Sequence, residues 1–355
     1  MPQLVSPVRV AHRFIGPGTP CFVIAEAGVN HNGDVDLAMR LVDAAADCGA
    51  DAVKFQTFNA DRLVARHARK APYQLSSTPP EETHLEMLRR LELPEAALAS
   101  LQRRCQDRRV LFLSTPYDEV SVDVLDGLDV PALKIASCDL TNMPLLRHAA
   151  RTARPLIVAT GMADLDEVDT AVNLLKREHA AAIVLLHCVS NYPADPASAN
   201  LRAMHTMTER FGVPTGWSDH TPGIVVALAA AALGACVIEK HFTVDKSLPG
   251  PDHRASLDAT ELTTLVRGIR EVERALGDGQ KRRMPEEEGN AVVARRSLVT
   301  AVHVGAGTPL RREMLAVKRP GTGLAPALLD TVLGRRLRVD AAPDTVLTAE
   351  MLDDA

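Results

Sequence analysis

WSDHTPGIVVALAAAALGACVIEKHFTVDKSLPGPDHRAS, residues 217–256, decides the fold. It reads as a strand end, a polar loop, an apolar helix over 224–233, a second strand over 235–238 and another polar loop. Ser218-Asp219-His220 follows the first strand and Glu239-Lys240-His241 the second. Side chains at the exits of neighbouring parallel strands face one shared pocket. A single loop histidine is ordinarily just hydrogen-bonded. Two histidines and a glutamate at successive exits form a donor set that suits a divalent metal, since imidazole takes Mn, Fe, Co or Zn and carboxylate takes Mn or Mg.

Outward from this stretch, short apolar runs alternate with helical spacing. The predicted strands are 21–25, 52–55, 110–113, 132–135, 155–159, 182–186, 215–217 and 235–238. Near-continuous apolar runs are what strands buried on both faces require. The expected fold is therefore α/β, a (β/α)8 TIM barrel over 1–276. A doubly wound open sheet is the weaker alternative, because no GxGxxG follows the first strand. Residues 1–20 read as a polar, proline-containing lead, an edge hairpin over the barrel base. The stretch 36–48 reads as a helix capped by Gly49. Residues 59–83 form a long, charged, proline-containing insertion, a length usually reserved for function or mobility. Residues 277–293, rich in charge, Gly and Pro, read as a linker, and 294–355 as a small, mostly β module.

The 355 residues carry 40 basic and 45 acidic side chains, a net charge of −5, which gives no general attraction to nucleic acid or anionic membrane. No uncharged apolar run approaches the roughly 20 residues that a bilayer demands. The six cysteines (21, 48, 105, 138, 188, 236) are scattered without a CxxC pair. They read as reduced thiols, and the expected location is the cytoplasm.

The polar residues at the strand exits are Glu26, Lys54, Ser114, Lys134 with Ser137, Thr160, His187 with Ser190, Ser218 with His220, and Glu239 with His241. Two lysines with several hydroxyls and Asn191 suit a small molecule bearing a phosphate and a carboxylate. Glu26 and Glu239 are left for orienting hydroxyls or for acid–base work.

These residues also carry a resemblance. IAEAGVNHNG (24–33), AVKFQTF (52–58), KIASCDLTN (134–142), ATGM (159–162), LHCVSNYPA (186–194), GWSDHTPG (216–223) and VIEKHFTVDKSLPGPDH (237–253) resemble the motifs of the sialic acid synthase family. RRSLV (295–299) and KRPGTGL (318–324) resemble its C-terminal SAF, or antifreeze-like, domain. The resemblance implies condensation of phosphoenolpyruvate with an open-chain N-acetylated hexosamine to a nine-carbon 2-keto acid, with release of phosphate and dependence on Mn²⁺ or Mg²⁺. It implies His220 and His241 as metal ligands. Lys54, Lys134, Ser137, Thr160, Ser190, Asn191 and Ser218 would hold phosphoenolpyruvate. Glu26, Asp139, Tyr192 and Asp252 would face the sugar, with Glu239 beside the metal and Glu26, Lys54, Lys134 and Glu239 as the catalytic set. Arg319 would reach the sugar from the neighbouring subunit of a domain-swapped homodimer. N-acetylmannosamine, giving N-acetylneuraminate, is the first acceptor considered. Cys138-Asp139 in place of the family's common Gly-Glu keeps open a diacetamido-trideoxyhexose, giving a legionaminate- or pseudaminate-type product. Two rivals from other classes are a Schiff-base aldolase acting through Lys134 and a non-catalytic binding protein whose C-terminal module binds ice or carbohydrate.

Overall fold

The structure is a computed structural model that describes residues 5–75 and 77–353. It divides at Gly277/Asp278 into two compact units. In the first, β1 (Val8–Val10) and β2 (Arg13–Ile15) form an antiparallel hairpin. The eight strands that follow are β3 (Phe22–Gly28), β4 (Ala52–Thr57), β5 (Leu111–Pro116), β6 (Leu133–Ile135), β7 (Leu156–Ala159), β8 (Ile183–Cys188), β9 (Thr215–Asp219) and β10 (Val237–His241). They build one parallel sheet in the order β5-β4-β3-β10-β9-β8-β7-β6. The end strands β5 and β6 approach each other, so the sheet is a nearly closed eight-stranded barrel.

The two-residue period of a strand explains both the core and the site. Phe22, Ile24, Ala52, Ala132, Ile157, Val184 and Val237 point inward and pack together, while Val23, Val53, Leu133, Val158, Leu185 and Ile238 point outward against the helices. Val8, Val10 and Ile15 of the hairpin join the inner cluster and plug the base of the barrel. Burying Val10 and Ile15 completely contributes roughly 1.5–3 kcal/mol each. The helix over Val35–Asp47 starts at Asp34, whose carboxylate accepts from the backbone N–H of Asp36 and Leu37. It stops before Gly49, which takes a left-handed φ of 80°.

Several strands run further than the apolar pattern predicts. The ladder continues through Glu26 to Gly28, through Gln56 and Thr57, through His187 and Cys188, and through Glu239 to His241. Backbone pairing does not depend on side-chain polarity, so residues expected in loops are the last rungs of the barrel.

The second unit, 278–355, contains β11 (Ser297–Thr300) antiparallel to β12 (Leu315–Lys318), extended by a bridge from Val299 to Val346. Leu298, Leu310, Leu315, Leu337, Leu347 and Leu352 form its own small core. The expected linker is not coil throughout: residues Glu288–Ala294 form a helix. Gly321 N–H donates to the Val292 carbonyl at 2.8 Å, which ties that helix to the module.

Candidate active site

Strand register assembles the charged centre. Glu239 pairs with Ser218 across β9 and β10, His241 with Glu26 across β10 and β3, and Glu26 with Lys54 across β3 and β4. The inward rungs therefore meet at one level. Lys54 Nζ lies 2.7 Å from Glu26 Oε2 and 3.8 Å from Glu239 Oε2, and donates to Thr115 Oγ1 at 2.9 Å. Lys134 Nζ reaches from β6 to 3.5 Å from Glu239 Oε1, which also accepts from Ser218 Oγ at 3.0 Å. The outward rungs between them do a different job. Lys240 pairs with Asp219 at 2.7 Å and donates to the Thr221 carbonyl, which secures the loop that carries His220.

Burial and the neighbouring charges compete to set the protonation states. Burial pushes Glu26 up to about 7 despite the adjacent Lys54. It would raise Glu239 too, but Lys134 and Lys54 hold that carboxylate below its ordinary range. Burial lowers Lys134, with Glu239 only partly offsetting it. For Lys54 burial is outweighed by Glu239 and Glu26, and the net shift is upward. Lys54 thus sits charged between two acids, while Lys134 is the more readily neutralised amine.

On the β7 and β8 side, Ser137 and Ser190 converge on Gly161. The Gly161 N–H donates to Ser137 Oγ at 3.0 Å. A Cβ at Gly161 would lie 2.8 Å from Ser137 Oγ and still closer to Ser190 Oγ. The missing side chain leaves a hydroxyl-lined notch beside the lysines.

His220 and His241 stand with ring centroids 5.4 Å apart, and Tyr192 stacks 4.0 Å from His220. His220 Nδ1 donates to the Val189 carbonyl at 2.8 Å, which leaves Nε2 with the free lone pair. His241 Nδ1 is buried with no hydrogen-bond partner, and burial together with His220 and Lys54 drives this imidazole well below its usual pKa. Two neutral-capable imidazoles, one with a fixed tautomer and one with an orphaned nitrogen, fit a divalent metal. Among the described residues no group of three His, Cys, Asp or Glu is arranged to hold one.

These groups line a pocket of about 430 Å³ that holds Glu26, Lys54, Lys134, Ser137, Ser190, Tyr192, Ser218, His220, Glu239 and His241. Asp252 lines an adjoining chamber of about 280 Å³. Other expected site residues lie elsewhere. The Thr160 hydroxyl donates to the Leu186 carbonyl at 3.1 Å, because Thr160 falls on an outward position. Asn191 is exposed, and its amide donates to the Pro193 carbonyl at 3.1 Å. Asp139 accepts from Asn142 at 3.0 Å and is absent from the pocket wall. Arg319 is exposed on the second unit. The sequence reading missed Gln56, Thr115, Tyr117 and Cys188, together with Arg69, Tyr73 and Gln74 from the 59–83 insertion. The length of that insertion was the available signal for the last three.

Residues 41–281 match the NeuB family and residues 295–353 match the SAF domain. N,N'-diacetyllegionaminic acid synthase of Legionella pneumophila is 46% identical over 342 residues, covering 95% of this chain and 96% of that protein. The Campylobacter jejuni enzyme of the same name is 44% identical over 315 residues, covering 88% and 94%. The crystal structure of N-acetylneuraminic acid synthetase from Leptospira borgpetersenii, in complex with citrate, superposes with a TM-score of 0.73 at 35% identity, covering 81% of this chain and 96% of that one. The chain belongs to the NeuB family of sialic acid synthases and carries a C-terminal SAF domain.

Proposed function

We propose that this NeuB-family chain condenses phosphoenolpyruvate with the open-chain form of an acetamido sugar, giving a nine-carbon 2-keto acid and inorganic phosphate. The observation that carries the reading is one pocket holding two buried lysines, a hydroxyl notch and two imidazoles. Two acceptors are supported. The names of the Legionella and Campylobacter relatives favour a diacetamido-trideoxyhexose. The name of the Leptospira structure favours N-acetylmannosamine.

In this reading Lys54 and Lys134 offset the charge of phosphoenolpyruvate inside a site where such pairs act more strongly than in water. Ser137 and Ser190 donate to its phosphate. His220 and His241 would hold Mn²⁺ or Mg²⁺, which would supply Lewis-acid polarisation of the aldehyde oxygen. Carbon 3 of the enol attacks the aldehyde carbon, water adds at carbon 2, and the tetrahedral adduct expels phosphate by C–O cleavage. Glu26, held near 7, exchanges a proton at working pH, and Glu239 stays ionised to fix Lys134 and Ser218. Tyr192 and Asp252 border the acceptor. Arg319 of a second subunit would complete the site in a homodimer.

The direct test measures phosphate release from phosphoenolpyruvate against a panel of both acceptors, with and without a chelator. Release with at least one acceptor, abolished by EDTA and restored by Mn²⁺, supports the reading. No release with any acetamido aldose overturns it. Lys134, whose pKa burial lowers, also meets the requirement of a Schiff-base lysine. Borohydride trapping of pyruvate on Lys134 would favour that aldolase instead.

A further inference from the structure

Behind His241 the pocket opens into the second chamber, and this chamber differs in character from the charged centre. It shares eight lining residues with the main pocket, among them Gln56, His84, Tyr192 and His241, but none of its lysines and neither serine of the notch. Much of its wall is Val29, Leu63, Val64, Met87, Leu88 and Leu91. These residues belong to one hydrophobic cluster, formed where the 59–83 insertion and the helix over His84–Leu91 cover the barrel mouth. A cluster of this kind ordinarily closes on itself, because interiors pack to the density of organic crystals. Here it leaves about 280 Å³ open.

Two buried polar atoms at the edge of the chamber lack a partner: Asp252 Oδ1 and His84 Nδ1. Asp252 is 6% exposed. The chamber thus offers apolar walls with a carboxyl acceptor and an imidazole nitrogen at its rim. The walls are the complement of a ligand end made of methyl groups, and the rim atoms suit an N–H donor on the carbons that lead to it. The chamber is a poor host for a phosphate, which would enter an apolar wall beside a buried acid.

We propose that this chamber receives the end of the acceptor remote from the aldehyde, and that it selects acceptors whose terminal carbon is a methyl group over those that carry a hydroxyl or phosphate there. The assignment rests on the synthase reading above. Phosphoenolpyruvate occupies the lysine side and the aldehyde lies at the histidines. The rest of the acceptor must then lead away from the lysines, and the chamber is the space that opens at His241. A second basin of about 490 Å³, lined by Lys246, Arg254 and Pro222, meets Tyr73 and Tyr192 but does not reach His241.

The test compares kcat/KM for three acceptors of equal stereochemistry bearing a methyl, a hydroxymethyl or a phosphorylated hydroxymethyl at the terminal carbon. The methyl acceptor is expected to lead the hydroxymethyl one by about tenfold or more, the scale on which an apolar pocket discriminates such groups. The phosphorylated acceptor should be weaker still. Val64→Phe, which narrows the chamber, should raise the KM for the methyl acceptor at least tenfold. The KM for phosphoenolpyruvate should be unchanged, which also reports an intact fold. Arg254→Ala, in the outer basin, should leave the ranking intact.

Equal or better use of the phosphorylated acceptor, an unchanged ranking in Val64→Phe, or a ranking reversed by Arg254→Ala would each overturn the chamber assignment while the synthase reading stands. Absence of phosphate release with all three acceptors, where phosphoenolpyruvate still binds, would overturn both.

Discussion

Gly161→Ala isolates the hydroxyl notch from the fold. Gly161 does not adopt a left-handed φ, so alanine is acceptable to the backbone. What the added Cβ meets is Ser137 Oγ at 2.8 Å and Ser190 Oγ closer still. Both hydroxyls can rotate aside, while Ser137 Cβ at 3.2 Å must shift slightly, so the cost falls mainly on the notch. If each hydroxyl donates to the phosphate of phosphoenolpyruvate, each is worth roughly 1.5–3 kcal/mol as a hydrogen bond to a charged group. Loss of both corresponds to about 3–6 kcal/mol, a fall of roughly 10²–10⁴ in kcat/KM for phosphoenolpyruvate. Steady-state kinetics at saturating acceptor measure it, with thermal denaturation as the control. Tm should move by no more than a few degrees. Ser190→Ala should give about half of the logarithmic loss. Unchanged phosphoenolpyruvate kinetics in Gly161→Ala, with Tm preserved, would refute the placement of the phosphate.

Further outcomes follow from the charged centre and its surroundings. Lys54→Met and Lys134→Met should each cost about ten- to a hundredfold in kcat/KM for phosphoenolpyruvate, and wild-type kinetics in both would remove the anion from this pocket. Asp252 has a folded pKa of about 6 against an ordinary 3.8, so native protein holds its proton more tightly than unfolded protein does. Its stability contribution is present below pH 3.8 and is lost as pH rises through 6. Asp252→Asn should therefore stabilise metal-free protein by up to about 3 kcal/mol at pH 8 and little near pH 4, measured by urea denaturation; a pH-independent difference would contradict the assignment. Arg319→Ala should raise the acceptor KM with little effect on phosphoenolpyruvate. Mixed with His241→Ala it should regain activity in a heterodimer, and a lack of complementation after proven subunit exchange would reject the swapped arrangement.

The barrel was legible because its strands are apolar on both faces, and each strand from 22 to 241 lies within a few residues of its predicted place. The charged centre was legible because Lys54, Lys134, Glu239 and His241 end apolar runs, where inward rungs turn polar. What composition could not show was phase. Thr160 and Ser190 look alike at strand exits, yet Thr160 bonds backward to Leu186 while Ser190 faces the notch. Asp139 and Asn191 are likewise satisfied locally by Asn142 and Pro193. The chamber was hidden for a different reason. Its walls are ordinary core residues, and a sequence pattern records that a residue is apolar, not that the packing around it is incomplete.

The hairpin at the base has a kinetic consequence. With Val8, Val10 and Ile15 stopping the lower end, the barrel is a well with one opening. Lys54 and Lys134, each 3% exposed, stand at the bottom of it, while Arg69 and Tyr73 of the insertion stand at the brim. A molecule held by the lysines must descend before one held near the brim, and it cannot leave until the upper one has gone. If the lysines hold phosphoenolpyruvate as proposed, traffic would therefore be last in, first out. An acceptor that arrived early would then be not a partner waiting its turn but a stopper in the neck.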